Sequence, residues 1–134
     1  MQRSPLQTYR QVGVQTARPE QVLLMLYDGA LSYCERARQA LGRGDPAVAG
    51  PLIGRTQAIL FELLSTLNRD VAPDLCANLE RLYAFMIRRL GEAQCGRDPK
   101  PLDEVKTLLF TLREAWAAAA AQARQAPAQG GSAP

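Results

Sequence analysis

The sequence contains no histidine. That absence removes the commonest general base, the carboxylate-and-histidine set of a di-iron bundle, and the reactive group of a phosphotransfer bundle. Cysteine is scarce: Cys34, Cys76 and Cys95 are odd in number and far apart, without the pair spacing of a metal or redox site. They read as reduced thiols, buried as small apolar groups. No glycine-rich phosphate loop is present, and neighbouring acids such as Asp103 and Glu104 point in different directions on a helix. No cofactor, no metal and no enzymatic activity are expected. The stretch from Met1 to Gln11 carries two arginines and lacks the apolar run of a secretory signal. No segment approaches the roughly 20 apolar residues of a membrane span. A cytoplasmic protein without membrane insertion is expected.

What the sequence does have is ordinary globular composition. With 134 residues, 47% of them hydrophobic, it is long enough to bury one core without disulfide or metal staples. The 16 basic residues nearly balance the 13 acidic ones, and they are spread along the chain instead of gathered in a block. That argues against a nucleic-acid partner. The pI near 9.0 and the arginine count keep a nucleic-acid-binding helical adaptor as the alternative reading, although Arg88-Arg89 sits near Glu80 and Glu92 and reads as a solvated face.

Four stretches share one grammar: proline near the start, about twenty residues with apolar positions at helical spacing, then glycine, asparagine or proline. The first helix is expected from about Pro19 to Leu41, stopped by Gly42 or Gly44. The second is capped by Asp45, opened by Pro46 and runs to about Asn68. The third runs from near Pro73 to Gly96, and the fourth, introduced by Asp98 and Pro99, from Leu102 to about Ala123. Short connections force neighbouring helices to lie antiparallel, so the expected fold is all-α, an up-down four-helix bundle over residues 19–123. A flexible N-terminal arm, 1–18, shows no sustained period, and the Gly/Ala/Pro/Ser/Gln-rich tail, 124–134, is expected to be disordered.

A bundle helix needs an apolar stripe of roughly 100°, so apolar residues outside that arc are informative. In the second helix Leu52, Thr56, Ile59, Leu60, Leu63 and Leu67 form the stripe, Ile53 and Leu64 widen one edge, and Phe61 lies further round on the same side. In the third, Leu75, Leu79, Leu82, Met86, Leu90 and Ala93 form the stripe. Tyr83 and Ile87 widen one edge, and Phe85 lies off the other. Phe110 faces away from the stripe of the fourth helix. Large apolar groups left in water forgo about 1.5–3 kcal/mol each, and such patches mark interaction sites. The arm or a second copy of the chain, as a homodimer, would cover them as well as a partner would. The mid-helix Gly29 is expected to mark a close helix approach.

These residues resemble a family. Tyr9, Gly13-Val14 and Arg18-Pro19-Glu20 lead into Leu23 to Ala30, which reads LLMLYDGA. Asn78-Leu79, Leu82-Tyr83 and Arg89-Leu90 follow in the third helix, and Glu104-Val105, Leu108, Leu112-Arg113-Glu114 and Trp116 in the fourth. In order and spacing this looks like the flagellar export chaperones called FliS. The sequence departs from that pattern at Arg18, where a small capping residue is common, and at Gln94-Cys95. The resemblance implies a cytosolic chaperone that binds the C-terminal segment of flagellin, prevents early polymerisation and presents subunits for flagellar type III secretion. Another flagellar regulator or the export gate would be a further partner. On this reading the flagellin-binding residues are Tyr9 of the arm, Ile53, Leu60, Phe61 and Leu64 of the second helix, and Asn78, Tyr83 and Ile87 of the third. Tyr9 lies in the arm that, by the resemblance, covers the groove.

Overall fold

The structure, a computed structural model, describes residues 18–125. Tyr9, the arm before Arg18 and the tail after Gln125 lie outside that span. The described residues form four helices, α1 (Pro19–Gly42), α2 (Pro46–Ser65), α3 (Pro73–Gly96) and α4 (Lys100–Gln125), with no strand among them. Proline occupies the opening turn of α1, α2 and α3, where its missing N–H has no intrahelical partner to lose. Each helix packs on its neighbours in chain order, and α4 closes on α1. This is the expected antiparallel up-down four-helix bundle. The α1–α2 seam is the most extensive and the α3–α4 seam the least.

The helix ends follow from local chemistry. Arg18 offers no side-chain oxygen to the start of α1. Instead Gln21, one turn inside, accepts the Arg18 N–H at 3.0 Å. At the other end Gly44 takes φ +75°, the left-handed turn that lets the Asp45 N–H return to the Ala40 carbonyl at 2.8 Å. Asp45 was expected to cap α2, but its side chain makes no capping hydrogen bond and Pro46 alone sets the entry. Asn68 was expected to end α2. The helix stops at Ser65, and Asn68 Oδ1 instead accepts the Asp70 N–H at 3.1 Å, an Asx turn that competes with helix. Helix α3 ends at Gly96, as expected: the capping Arg97 adopts φ 52°, and the Asp98 N–H reaches back to Ala93 O at 3.1 Å. An arginine in that conformation costs about 1 kcal/mol that glycine would not.

The core draws on all four helices, from Leu26 and Tyr27 through Ile53, Leu60, Tyr83, Met86 and Leu90 to Leu102, Val105 and Leu109. Its polar content is fully bonded. Tyr27 and Tyr83 hydroxyls lie 2.6 Å apart, and Trp116 Nε1 donates to Tyr27 Oη at 3.1 Å. Burial raises both tyrosine pKa values, so both stay neutral. Thr56 returns its hydroxyl to Leu52 O at 2.9 Å. The thiol of Cys34 donates to Leu102 O at 3.5 Å, and burial pushes its pKa up to about 12. Cys76 is buried too, but Cys95 is exposed near the end of α3, against the expectation that all three would be buried.

Two further expectations need correcting. Helix α2 is, by length and composition, apolar enough to cross a membrane. In the fold it is the partner of both α1 and α3, and its apolar side chains supply much of the core. Gly29 is not demanded by a tight approach, because a methyl group there would stand 3.5 Å from Ile59 Cδ1, ordinary contact distance. Glycine at this point forgoes about 1 kcal/mol of helix propensity that alanine could supply.

Charge ties α4 to α1 over much of their length. Glu35 accepts from Arg38 Nη2 at 2.8 Å and from Lys106 Nζ at 2.7 Å, while Arg113 Nε meets Asp28 Oδ1 at 2.9 Å. The hydrogen bond from Arg38, joined by that from Lys106, holds the Glu35 carboxyl down at about 2, from an ordinary 4.5. A depressed folded-state pKa means stabilisation that is fully present above the ordinary value and is lost as pH falls through the folded one. Between pH 4.5 and about 2 the urea midpoint of the wild type should therefore fall more steeply than that of Glu35→Gln. Parallel acid limbs for the two proteins would show that the pair contributes nothing.

Candidate protein-binding faces

Once the four helices have closed, the leftover apolar groups identify the candidate site. Phe61 and Phe110 are each 56% exposed, as expected of residues outside the stripes, while Phe85 is half-buried against the core. Met25, Val48, Val71 and Leu75 are also exposed. Leu75, expected to point inward, lies in the first turn of α3, at the edge of the bundle.

The expected groove between the second and third helices is only partly present. Ile53 and Leu60 are 0% exposed and Tyr83 is 1% exposed, so these three proposed binding residues are core. Leu60 lies on the inward stripe already, and for Ile53 and Tyr83 the reason is geometric: each bundle helix touches two neighbours, which makes its buried arc wider than one 100° stripe. Phe61 remains on the surface, with Leu64 and Ile87 half-buried and packed against the core. Gln57 Nε2 donates to the Ile87 carbonyl at 3.1 Å, fastening α2 to α3 beneath this flank. Asn78 is exposed, and its side-chain carbonyl accepts a hydrogen bond from Arg81. Nine residues from Ile87, it lies half a helical turn round, on the flank of Phe85. Phe61, Leu64 and Ile87 thus form one face, and Asn78 belongs to another.

Further apolar positions occupy the other flanks, which sequence spacing alone did not join into sites. Leu31 and Phe110 share a depression of about 340 Å³ between α1 and α4, edged by Lys106 and Thr107. Phe85 and Leu108 line a shallower one on the α3–α4 side, bordered by Lys100, Asp103 and Glu104. The guanidinium of Arg88 lies 5.8 Å from the Phe85 ring centroid. A cleft of about 230 Å³ between α1 and α2 is floored by Leu26 and Ile59. Apolar surface is therefore distributed around the bundle, not concentrated in one trough.

No group of three or more His, Cys, Asp or Glu side chains able to hold a metal ion occurs among the described residues. Among the described residues, the Tyr27, Tyr83, Trp116, Thr56 and Cys34 side-chain groups at the core are hydrogen-bonded. A helical bundle whose surplus chemistry is exposed apolar side chains has the surface of an interaction module. The chain belongs to the family of the flagellar protein FliS, whose profile matches residues 1–123. It is 36% identical over 118 residues to the flagellar secretion chaperone FliS of Salmonella typhimurium, covering 84% of this chain and 87% of that one. It is 35% identical over 113 residues to the flagellar secretion chaperone FliS of Bacillus subtilis, covering 84% of each. It is 34% identical over 115 residues to the flagellar secretion chaperone FliSB of Pseudomonas aeruginosa, covering 83% and 91%. A solved bacterial flagellar chaperone shares the fold, with a TM-score of 0.73 at 22% identity over 87% of this chain and 94% of that one.

Proposed function

We propose that this chain, as a member of a family of flagellar secretion chaperones, works in the cytoplasm by holding the C-terminal segment of flagellin until export. The observation that carries this reading is the exposed Phe61 ring beside half-buried Leu64 and Ile87 on the α2–α3 flank. A partner segment lays apolar side chains along that flank in helical or extended pieces and continues onto neighbouring flanks. Ordering such a segment costs about 2–5 kcal/mol or more, so contact on several faces is needed to leave useful affinity. While it is held, the apolar positions it would use for polymerisation are covered. Release needs competition or pulling, and no chemistry by the chaperone. The export gate or another flagellar regulator is a candidate for a further contact.

Mixing the protein with the C-terminal segment of flagellin from the same organism should give a stoichiometric complex by calorimetry at micromolar concentration. Absence of binding heat together with separate elution on gel filtration would overturn the proposal. Salt separates this reading from a nucleic-acid adaptor, because phosphate contacts weaken steeply with salt and apolar contacts barely respond. Arg38, Arg69, Arg89, Arg113 and Lys106 already face carboxylates, which leaves fewer free cations for a phosphate backbone than the composition suggests.

A further inference from the structure

The cleft between α1 and α2 differs in chemistry from the other flanks. Its floor is apolar, Leu26 and Ile59, and its rim is Met25, Ala58, Tyr33 and Arg55. No carboxylate lines it. Two guanidinium groups converge on the Tyr33 ring, that of Arg36 at 5.8 Å and that of Arg55 at 5.7 Å from the centroid. Among the described residues neither arginine has an acidic partner, which is true also of Arg43, Arg81, Arg88, Arg97 and Arg124, whereas Arg38, Arg69, Arg89 and Arg113 are paired. Arg55 lines the cleft, and Arg36, outside its lining, stacks on the same Tyr33 ring, which leaves guanidinium N–H donors of both available to an acceptor. Gly29 lines the cleft, and a methyl group there would stand at ordinary contact distance, 3.5 Å, from Ile59 Cδ1.

An apolar recess beside two unpaired, ring-anchored guanidinium groups is complementary to an apolar side chain flanked by carboxylates. We propose that the α1–α2 cleft is a second docking site, for an acidic amphipathic segment of a partner protein. The apolar anchor of that segment seats between Met25 and Ala58, and its carboxylates pair with Arg36 and Arg55. The site lies on a different flank from Phe61, Leu64 and Ile87. This inference does not depend on the flagellin reading.

The test uses the full chain and a fluorescein-labelled amphipathic helical peptide with leucine on one face and glutamate beside it. Its control carries lysine in place of each glutamate. The glutamate peptide should bind saturably in an anisotropy titration, more weakly as NaCl is added, and the lysine peptide should not bind. Arg36→Glu and Arg55→Glu should each weaken the glutamate peptide by about tenfold or more. Ala58→Trp, which fills the cleft from an exposed helix position, should abolish binding. Arg88→Glu, the control on the Phe85 flank, and Phe61→Glu should leave it unchanged. The flagellin segment should still bind Arg55→Glu, so loss of one interaction is distinguishable from loss of the other. Equal binding of the two peptides overturns the assignment. So does wild-type affinity in both Arg36→Glu and Arg55→Glu, or an equal loss in Arg88→Glu.

Discussion

Leu60→Ala should lower unfolding free energy by about 2–5 kcal/mol, the range for truncating a fully buried leucine that leaves a cavity behind. Leu60 is 0% exposed and belongs to the core cluster shared by all four helices. A denaturation midpoint that falls with an unchanged m-value is the expected signature. The affinity of the folded variant for the flagellin segment should stay close to that of the wild type, because the side chain faces inward. A wild-type midpoint with lost binding would mean that Leu60 belongs to a groove after all. Ile53→Ala, another fully buried position on the same helix, should behave in the same way.

Phe61→Glu should show the opposite pattern. Its ring is more than half in water, so removing it subtracts little from the fold, and its neighbours Leu64 and Ile87 keep their contacts with the core. As the most exposed anchor of the α2–α3 flank, however, it should carry a disproportionate share of the interface. Placing a carboxylate there should weaken the flagellin segment by roughly ten- to a hundredfold, the usual effect of losing an interface anchor. Calorimetry with wild type and variant measures the change, and helical circular dichroism with a thermal scan confirms that the fold is unaltered. Full affinity in Phe61→Glu would remove this flank from the contact surface. Leu64→Glu and Ile87→Glu are less clean tests, since both side chains also pack on the core.

The contrast between Leu60 and Phe61, adjacent in sequence, shows what could be read from the chain and what could not. Helix number, order and starts were legible because Pro19, Pro46 and Pro73 mark the opening turns and the apolar periods are long. The exposure of Phe61 and Phe110 was legible too, because both lie far from any inward stripe. Ile53 and Tyr83 were assigned to the margin because a stripe is drawn for a helix with one neighbour, whereas α2 and α3 each have two. The Tyr27–Tyr83–Trp116 chain joins residues from three helices, and no local spacing encodes such a meeting. Side-chain stacking at Tyr33 depends in the same way on which residues of α2 lie opposite α1. The end of α2 was misplaced because Asn68 has a competing option, an Asx turn to Asp70, whereas α3 ends at Gly96 as expected.

The sequence has a single tryptophan, and its indole nitrogen is the outer end of that hydrogen-bonded chain. Any event that parts α4 from α1 breaks the bond from Trp116 to Tyr27 and moves the indole towards solvent. The protein thus carries an intrinsic optical gauge of that one seam: emission shifts to the red when the last helix lifts and returns when it re-seats. Changes confined to the far side of the molecule leave the signal quiet, so seam opening can be told from remote events without attaching a dye.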